Sequence, residues 1–76
     1  MKVRVLGGTH LGIAGGYGSR VFDVESLDEI EQTIREEENL QAAEKSSYEA
    51  SNGLEIHTLV DENGLTLFEW YIKELL

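Results

Sequence analysis

A glycine-rich segment near the N-terminus is the first feature whose residue types could support chemistry. Gly7–Gly18 follows a predicted strand and contains six glycines in twelve residues, which is typical of loops that bind phosphate. However, no lysine follows it, its spacing departs from G-x-G-x-x-G, and no clear helix begins after it. We therefore expect tight turns or flexibility there, or a binding loop that presents Leu11, Ile13 and Tyr17, and we expect no nucleotide to bind.

The two histidines, His10 and His57, are the next candidates. A metal site could combine them with Glu55 or another acid, but neither histidine belongs to a pattern such as H-x-x-x-H. His57 is expected to pack beside Trp70, and His10 is expected to lie in solvent. Ser, His and acidic residues occur in no arrangement that pairs a nucleophile with an oriented base. The sequence thus predicts no catalytic residue, no bound metal, no cofactor and no enzymatic activity.

Charge is the strongest global feature of the chain. Fifteen Asp and Glu face six Lys and Arg, which gives a net charge of −9. Residues 23–49 contain ten of these acids, accompanied only by Arg35 and Lys45. Phosphate groups would be repelled, so direct binding to nucleic acid or to an anionic membrane is not expected. A basic protein is the partner that this charge favours.

Length and composition predict one domain over residues 1–76. The chain has no cysteine, which excludes disulfides and thiolate zinc sites and fits a reducing compartment. No apolar run approaches the roughly 20 residues of a membrane span. These features predict a cytoplasmic protein.

The first half of the chain predicts two strands and a helix. Residues 1–6 and 20–25 have strand-like patterns. Ser26 to Glu29 has the form of a capping box, in which Ser26 is the N-cap. Leu27, Ile30 and Ile34 then form one apolar stripe. After Ile34 the helix either overhangs the sheet or bends near Asn39, and the pattern leaves open whether residues 40–50 continue it.

The second half predicts a hairpin. Residues 54–60 and 65–72 read as strands joined by Asn63-Gly64, a strong signal for a two-residue type I′ turn. This turn would pair Val60 with Leu67 and His57 with Trp70. The predicted architecture is therefore α+β, with a four-stranded, mostly antiparallel sheet in ββαββ order and one acidic helix packed on a face.

Both faces of this hairpin are apolar, so one helix cannot cover both. Ile56, Val60, Leu67 and Tyr71 share one face, and the other face carries His57, Leu59, Phe68, Trp70 and Ile72. Phe68 and Trp70 are predicted to contact another chain or the N-terminal loop, because exposed aromatic clusters usually mark interfaces. A homodimer is one form that this contact could take.

The acidic helix is the best candidate for a partner-binding surface. Asp28, Glu29 and Glu36 point outward, Glu31 and Glu37 lie on the flanks, and Glu38 joins them if the helix overhangs the sheet. A solvated surface that aids solubility is the alternative interpretation. Glu31 and Arg35 form the only Glu-to-cation pair at i,i+4 spacing before residue 40, and repulsion between neighbouring carboxylates is tolerated elsewhere. This tolerated repulsion favours a function for the negative charge, such as binding a cationic surface of a partner.

In its size, its lack of cysteine, its acid excess over residues 23–49 and its two-sided hairpin over residues 54–72, the chain resembles the small acidic inhibitors that phages direct against host defence nucleases, of the anti-CRISPR type. That resemblance implies a non-enzymatic inhibitor, acting in the host cytoplasm, that binds a basic nucleic-acid channel of a defence complex by imitating DNA. The alternative is a small homo-oligomeric structural or assembly module joined through the C-terminal hairpin.

Overall fold

The computed structural model describes residues 1–9 and 18–74. Within them, one helix separates two strands from three. In chain order the elements are β1 (Lys2–Gly8), β2 (Gly18–Asp23), α1 (Asp28–Glu37), β3 (Glu44–Glu49), β4 (Glu55–Val60) and β5 (Thr66–Glu74). The strands form one sheet in the order β2-β1-β5-β4-β3, and every neighbouring pair is antiparallel. The predicted α+β class is confirmed, but the prediction of four strands in ββαββ order is wrong, because β3 is a fifth strand.

The centre of the sheet joins the two ends of the chain, because β1 pairs with β5. Along β1, Val3 and Val5 are buried on one face, while Lys2 and Arg4 point to the other, as the alternation of the sequence predicts. Val5 lies opposite Ile72 in the register. The face that carries Val3 and Val5 is therefore the face of the sheet that the helix covers.

The core lies between that face and α1. Ile30 and Ile34 are fully buried, so they form the apolar stripe of the helix. Leu27, which was predicted to share the stripe, is 44% exposed because the helix begins only at Asp28. The buried cluster comprises Val3, Val5, Val24, Ile30, Ile34, Leu59, Phe68 and Trp70.

The helix ends at Glu37, and the chain reverses immediately afterwards. Asn39 has a φ of 58°, and the N–H of Leu40 donates to the carbonyl oxygen of Arg35 at 2.8 Å. This is the bond of a Schellman motif, in which a residue in the left-handed region closes the helix. Of the two predicted alternatives, the bend near Asn39 is the one observed. It turns the chain back so that residues 44–49 pair with β4 as a strand instead of continuing as helix.

The hairpin has the predicted pairing of His57 with Trp70, but its turn differs and the predicted pairing of Val60 with Leu67 is wrong. Gly64 has a φ of 82°, whereas Asn63 is not among the residues with positive φ, so the type I′ turn is wrong. The N–H of Asp61 donates to Leu65 O at 2.9 Å, which encloses a three-residue loop. Val60 consequently lies opposite Thr66, and a shift between Leu59 and Val60 restores the predicted pairing of His57 with Trp70.

Candidate functional site

The outer surface of α1 is oriented by its buried side. Ile30 and Ile34 point into the core, and a rotation of about 100° per residue places Asp28, Gln32 and Glu36 on the opposite side of the helix. All three are exposed. The outermost line of the helix therefore carries two carboxylates and one amide, with no cation between them.

Glu29 supports the start of the helix. Its Oε2 accepts hydrogen bonds from the backbone N–H groups of Glu25 at 2.7 Å and Ser26 at 3.0 Å. The Ser26 hydroxyl makes no reciprocal capping bond, since the residue at the N-cap position is Leu27 and it has no side-chain cap. Only the Glu29 half of the predicted capping box is therefore formed. A substitution of Glu29 would therefore change the stability of the helix as well as the charge offered to a partner.

Glu31 and Glu37, on the flanks of α1, are engaged in ion pairs. Glu31 Oε2 lies 2.9 Å from Arg35 Nε, and its Oε1 lies 3.6 Å from Lys45 Nζ. Glu37 pairs with Arg20 of β2. The pairs with Lys45 and Arg20 link the helix to the two edge strands, β3 and β2. The two acids are therefore less available to a partner than the sequence pattern suggested.

Asp28 and Glu36 remain as the acids of α1 whose side chains make no hydrogen bond or ion pair within residues 1–9 and 18–74. Glu38 occupies the C-cap position and is half-buried. Asp28 and Glu36 are eight residues apart, or about 12 Å along the helix axis. Together they define the open part of the acidic surface.

Phe68 and Trp70, which were predicted to contact a partner, lie in the core and not on the surface. They are 1% and 2% exposed and belong to the core beneath α1. The Trp70 indole stacks on the His57 imidazole with 5.5 Å between ring centroids, so the predicted packing of His57 is confirmed. Both aromatic side chains are therefore buried within the same chain, in the cluster that includes Ile30 and Ile34 of α1.

The cations are separated from the acidic surface. Arg20, Arg35 and Lys45 form the ion pairs described above. Lys2, Arg4 and Lys73, half of the six Lys and Arg in the chain, lie on the face of the sheet away from α1, as the pairing of Arg4 with Lys73 requires. They form no ion pair among the described residues. The molecule therefore has an acidic side and a side with a cationic patch.

Sequence reasoning missed one polar pair on that second face. The Tyr48 hydroxyl lies 3.0 Å from Glu69 Oε2 and donates a hydrogen bond to it. Partial desolvation, followed by the Glu69 carboxylate, raises the pKa of Tyr48. Glu69 is 7% exposed although its side chain ends in a carboxyl group. A signal was present, because Glu69 interrupts the apolar run from Leu67 to Ile72, but the partner Tyr48 could not be found while residues 40–50 were open to a helical reading.

The described residues include only the two ends of the glycine-rich segment. Gly7 and Gly8 belong to β1, whereas residues 10–17, which include His10 and the candidate binding residues Leu11, Ile13 and Tyr17, lie outside the described residues. A Cβ on Gly7 would lie 2.5 Å from the carbonyl oxygen of Glu69. Close contact between β1 and β5 therefore explains this glycine without a phosphate.

Comparison with protein-family models, with curated proteins and with solved structures found no match. Within residues 1–9 and 18–74, no helix is long and apolar enough to cross a lipid bilayer. The placement of the charged and aromatic side chains is therefore the basis on which a function can be proposed.

Proposed function

We propose that this protein is a non-enzymatic inhibitor that binds a basic, nucleic-acid-binding surface of another protein through the outer face of α1. The observation that carries the proposal is the exposed line of Asp28 and Glu36, neither of which forms an ion pair among the described residues. Three of the cations of the chain lie across the sheet from this line. A partner rich in Arg or Lys would be steered toward the acidic side and oriented by the charge separation.

The density of charge on α1 indicates how far it imitates DNA. Residues 28–38 carry six carboxylates against Arg35, but Glu31 and Glu37 are paired and Glu29 is bonded to the backbone. One DNA strand carries a phosphate about every 3.4 Å of its axis, whereas Asp28 and Glu36 are separated by about 12 Å. The helix would therefore satisfy a few separate Arg or Lys contacts. It would not follow a whole phosphate backbone.

The resemblance to small acidic phage inhibitors suggests what kind of protein the partner is. A nucleic-acid-binding protein of a host defence system has a basic channel of the required charge. Such a partner would bind DNA and this protein at overlapping sites. If this protein imitates DNA, it must compete with DNA for the partner. Simple attraction between unlike charges at separate sites would produce no such competition.

The alternative, a homo-oligomer joined through the hairpin, has less support. Its predicted contact residues, Phe68 and Trp70, are covered by α1. Pairing through the sheet edge at β3 is opposed by Glu44, Lys45 and Glu49, because charged side chains on an edge strand discourage pairing with another strand.

The proposal is tested with a partner captured from the native host, purified and titrated in the presence of a double-stranded oligonucleotide. Reversing both charges, Asp28→Lys with Glu36→Lys, should weaken binding at least tenfold and reduce the salt dependence. The matched control, Glu62→Lys with Glu74→Lys, makes the same charge change outside α1 and should have a much smaller effect. A partner that DNA does not displace, or a folded double variant that binds as tightly as wild type, would contradict the proposal.

A further inference from the structure

A cavity of about 560 Å³ opens on the face of the sheet away from α1. Its size falls within the range of small-molecule sites. The turn between β3 and β4 forms one wall, and β5 and β4 form the floor. The side chains used below are Leu6, Tyr48, Leu54, Ile56, Glu69 and Tyr71. Because the cavity and α1 lie on opposite faces, what it binds is independent of the proposed function.

Glu69 is the buried carboxylate of this cavity, whose lining also includes the exposed Glu49, Ser51 and Asn52. Glu69 is 7% exposed, and its Oε2 accepts the hydrogen bond from the Tyr48 hydroxyl. No Lys, Arg or His pairs with it among the described residues. A carboxylate that has little exposure to water and one neutral side-chain donor lacks the counter-charge that usually accompanies a buried ion. A positively charged group in the cavity would supply it.

The apolar part of the cavity lining suits the body of such a cation. Leu6, Leu54 and Ile56 are apolar, and they can hold an aliphatic or aromatic group. The rings of Tyr48 and Tyr71 can face an ammonium group, since the electron-rich face of an aromatic ring attracts a cation. Tyr48 would have two roles, because its ring lines the cavity and its hydroxyl holds the Glu69 carboxylate in place.

We propose that this cavity binds a small organic cation, an ammonium group on an apolar body, with the ammonium beside Glu69. The positions of the charged residues on this face of the sheet determine the orientation of the ligand. Lys73 lies on the same face as Glu69, four residues and about 13 Å away along β5, and Arg4 pairs beside it. The cationic end of the ligand therefore lies toward Glu69 and away from Lys73 and Arg4.

The first experiment uses three probes of nearly the same shape and different charge: 4-phenylbutylamine, 4-phenylbutanol and 4-phenylbutyrate. Each is titrated into the ¹⁵N-labelled protein, and amide shifts are followed by NMR. The amine should shift the amides of Ile56, Glu69 and Tyr71, and the alcohol should bind at least tenfold more weakly. Equal binding of amine and alcohol, preference for the carboxylate, or shifts confined to α1 would overturn the proposal.

The second experiment separates Glu69 from the general attraction of a protein of charge −9 for cations. Glu69→Gln should weaken amine binding at least tenfold and leave alcohol binding unchanged. Glu36→Gln removes the same charge on the other side of the molecule and should change neither. An equal loss of amine binding in both variants would overturn the proposal. Tyr48→Phe, which keeps the ring and the carboxylate, should weaken the amine alone, and this outcome decides the matter if Glu69→Gln does not fold.

Discussion

The Nη1 atom of Arg35 lies 2.7 Å from the carbonyl oxygen of Ala43, eight residues further along the chain. The same nitrogen also donates to the carbonyl oxygens of Leu40 and Gln41, each at 3.1 Å. Meanwhile Arg35 Nε is bonded to Glu31. One guanidinium thus holds the segment that turns the chain from α1 into β3, and only 14% of the Arg35 side chain is exposed.

Replacement of Arg35 should therefore destabilise the fold through this connection. Arg35→Met removes every donor, and we expect a loss of about 2 kcal/mol in the free energy of unfolding, measured by urea denaturation. Arg35→Lys should recover only part of the loss, because an ammonium group lacks the planar fork that reaches several acceptors. If Arg35→Lys were as stable as wild type, charge alone would explain the role of Arg35.

The two acids Glu29 and Glu36 should differ in their effect on stability. Glu29→Ala removes the acceptor of the Glu25 and Ser26 N–H groups, so it should cost about 1 kcal/mol, as the loss of a helix cap does. Glu36→Ala is a matched change on the exposed side and should cost less than about 0.5 kcal/mol. Thermal unfolding of both variants, followed by circular dichroism, checks the difference. Equal melting temperatures would argue that the Glu29 bonds contribute nothing.

Gly64 is predicted to be required for its backbone conformation. Its φ is 82°, and a Cβ there would meet no atom within 4 Å, so backbone strain is the main cost of a side chain. Gly64→Val should lower the free energy of unfolding by about 1 kcal/mol or more, whereas Gly64→Asn should cost less, because Asn tolerates the left-handed region. Equal stability of the two variants in urea would show that φ is not what selects glycine.

His57 should make stability depend on pH. Desolvation lowers the pKa of His57, and so does the Lys45 ammonium, against the opposing effect of Glu55 and then Glu31. The unfolded chain, with a His pKa of about 6.5, therefore binds a proton more readily than the folded chain. The contribution of neutral His57 to stability is fully present above about pH 6.5 and is lost as the pH falls through the folded-state pKa.

The measurement compares wild type with His57→Gln between about pH 7.5 and 5. Glutamine does not titrate, so the lost stacking on Trp70 gives a constant offset. The carboxylates shared by both proteins cancel in the difference. The stability advantage of wild type should shrink as the pH falls, and an advantage that grows toward low pH would mean that the pKa of His57 is raised.

The sequence by itself determined the features that depend on local pattern. Alternation along β1 assigned Val3 and Val5 to the core, and the 3.6-residue period did the same for Ile30 and Ile34. The pairing of His57 with Trp70 was also predicted, although the turn was not, because the Asp61 side chain accepts the N–H groups of Asn63 and Leu65 and stabilises a longer loop.

Only the tertiary structure decided the rest, because those features depend on residues distant in the chain. Residues 44–49 carry little apolar periodicity and become a strand only because β4 offers its edge for pairing. The two-sided hairpin did not reveal which face the helix would cover, and the structure places α1 over Phe68 and Trp70. The Tyr48–Glu69 bond spans 21 residues. Such contacts arise when the sheet brings strands together, and no local pattern in the sequence encodes them.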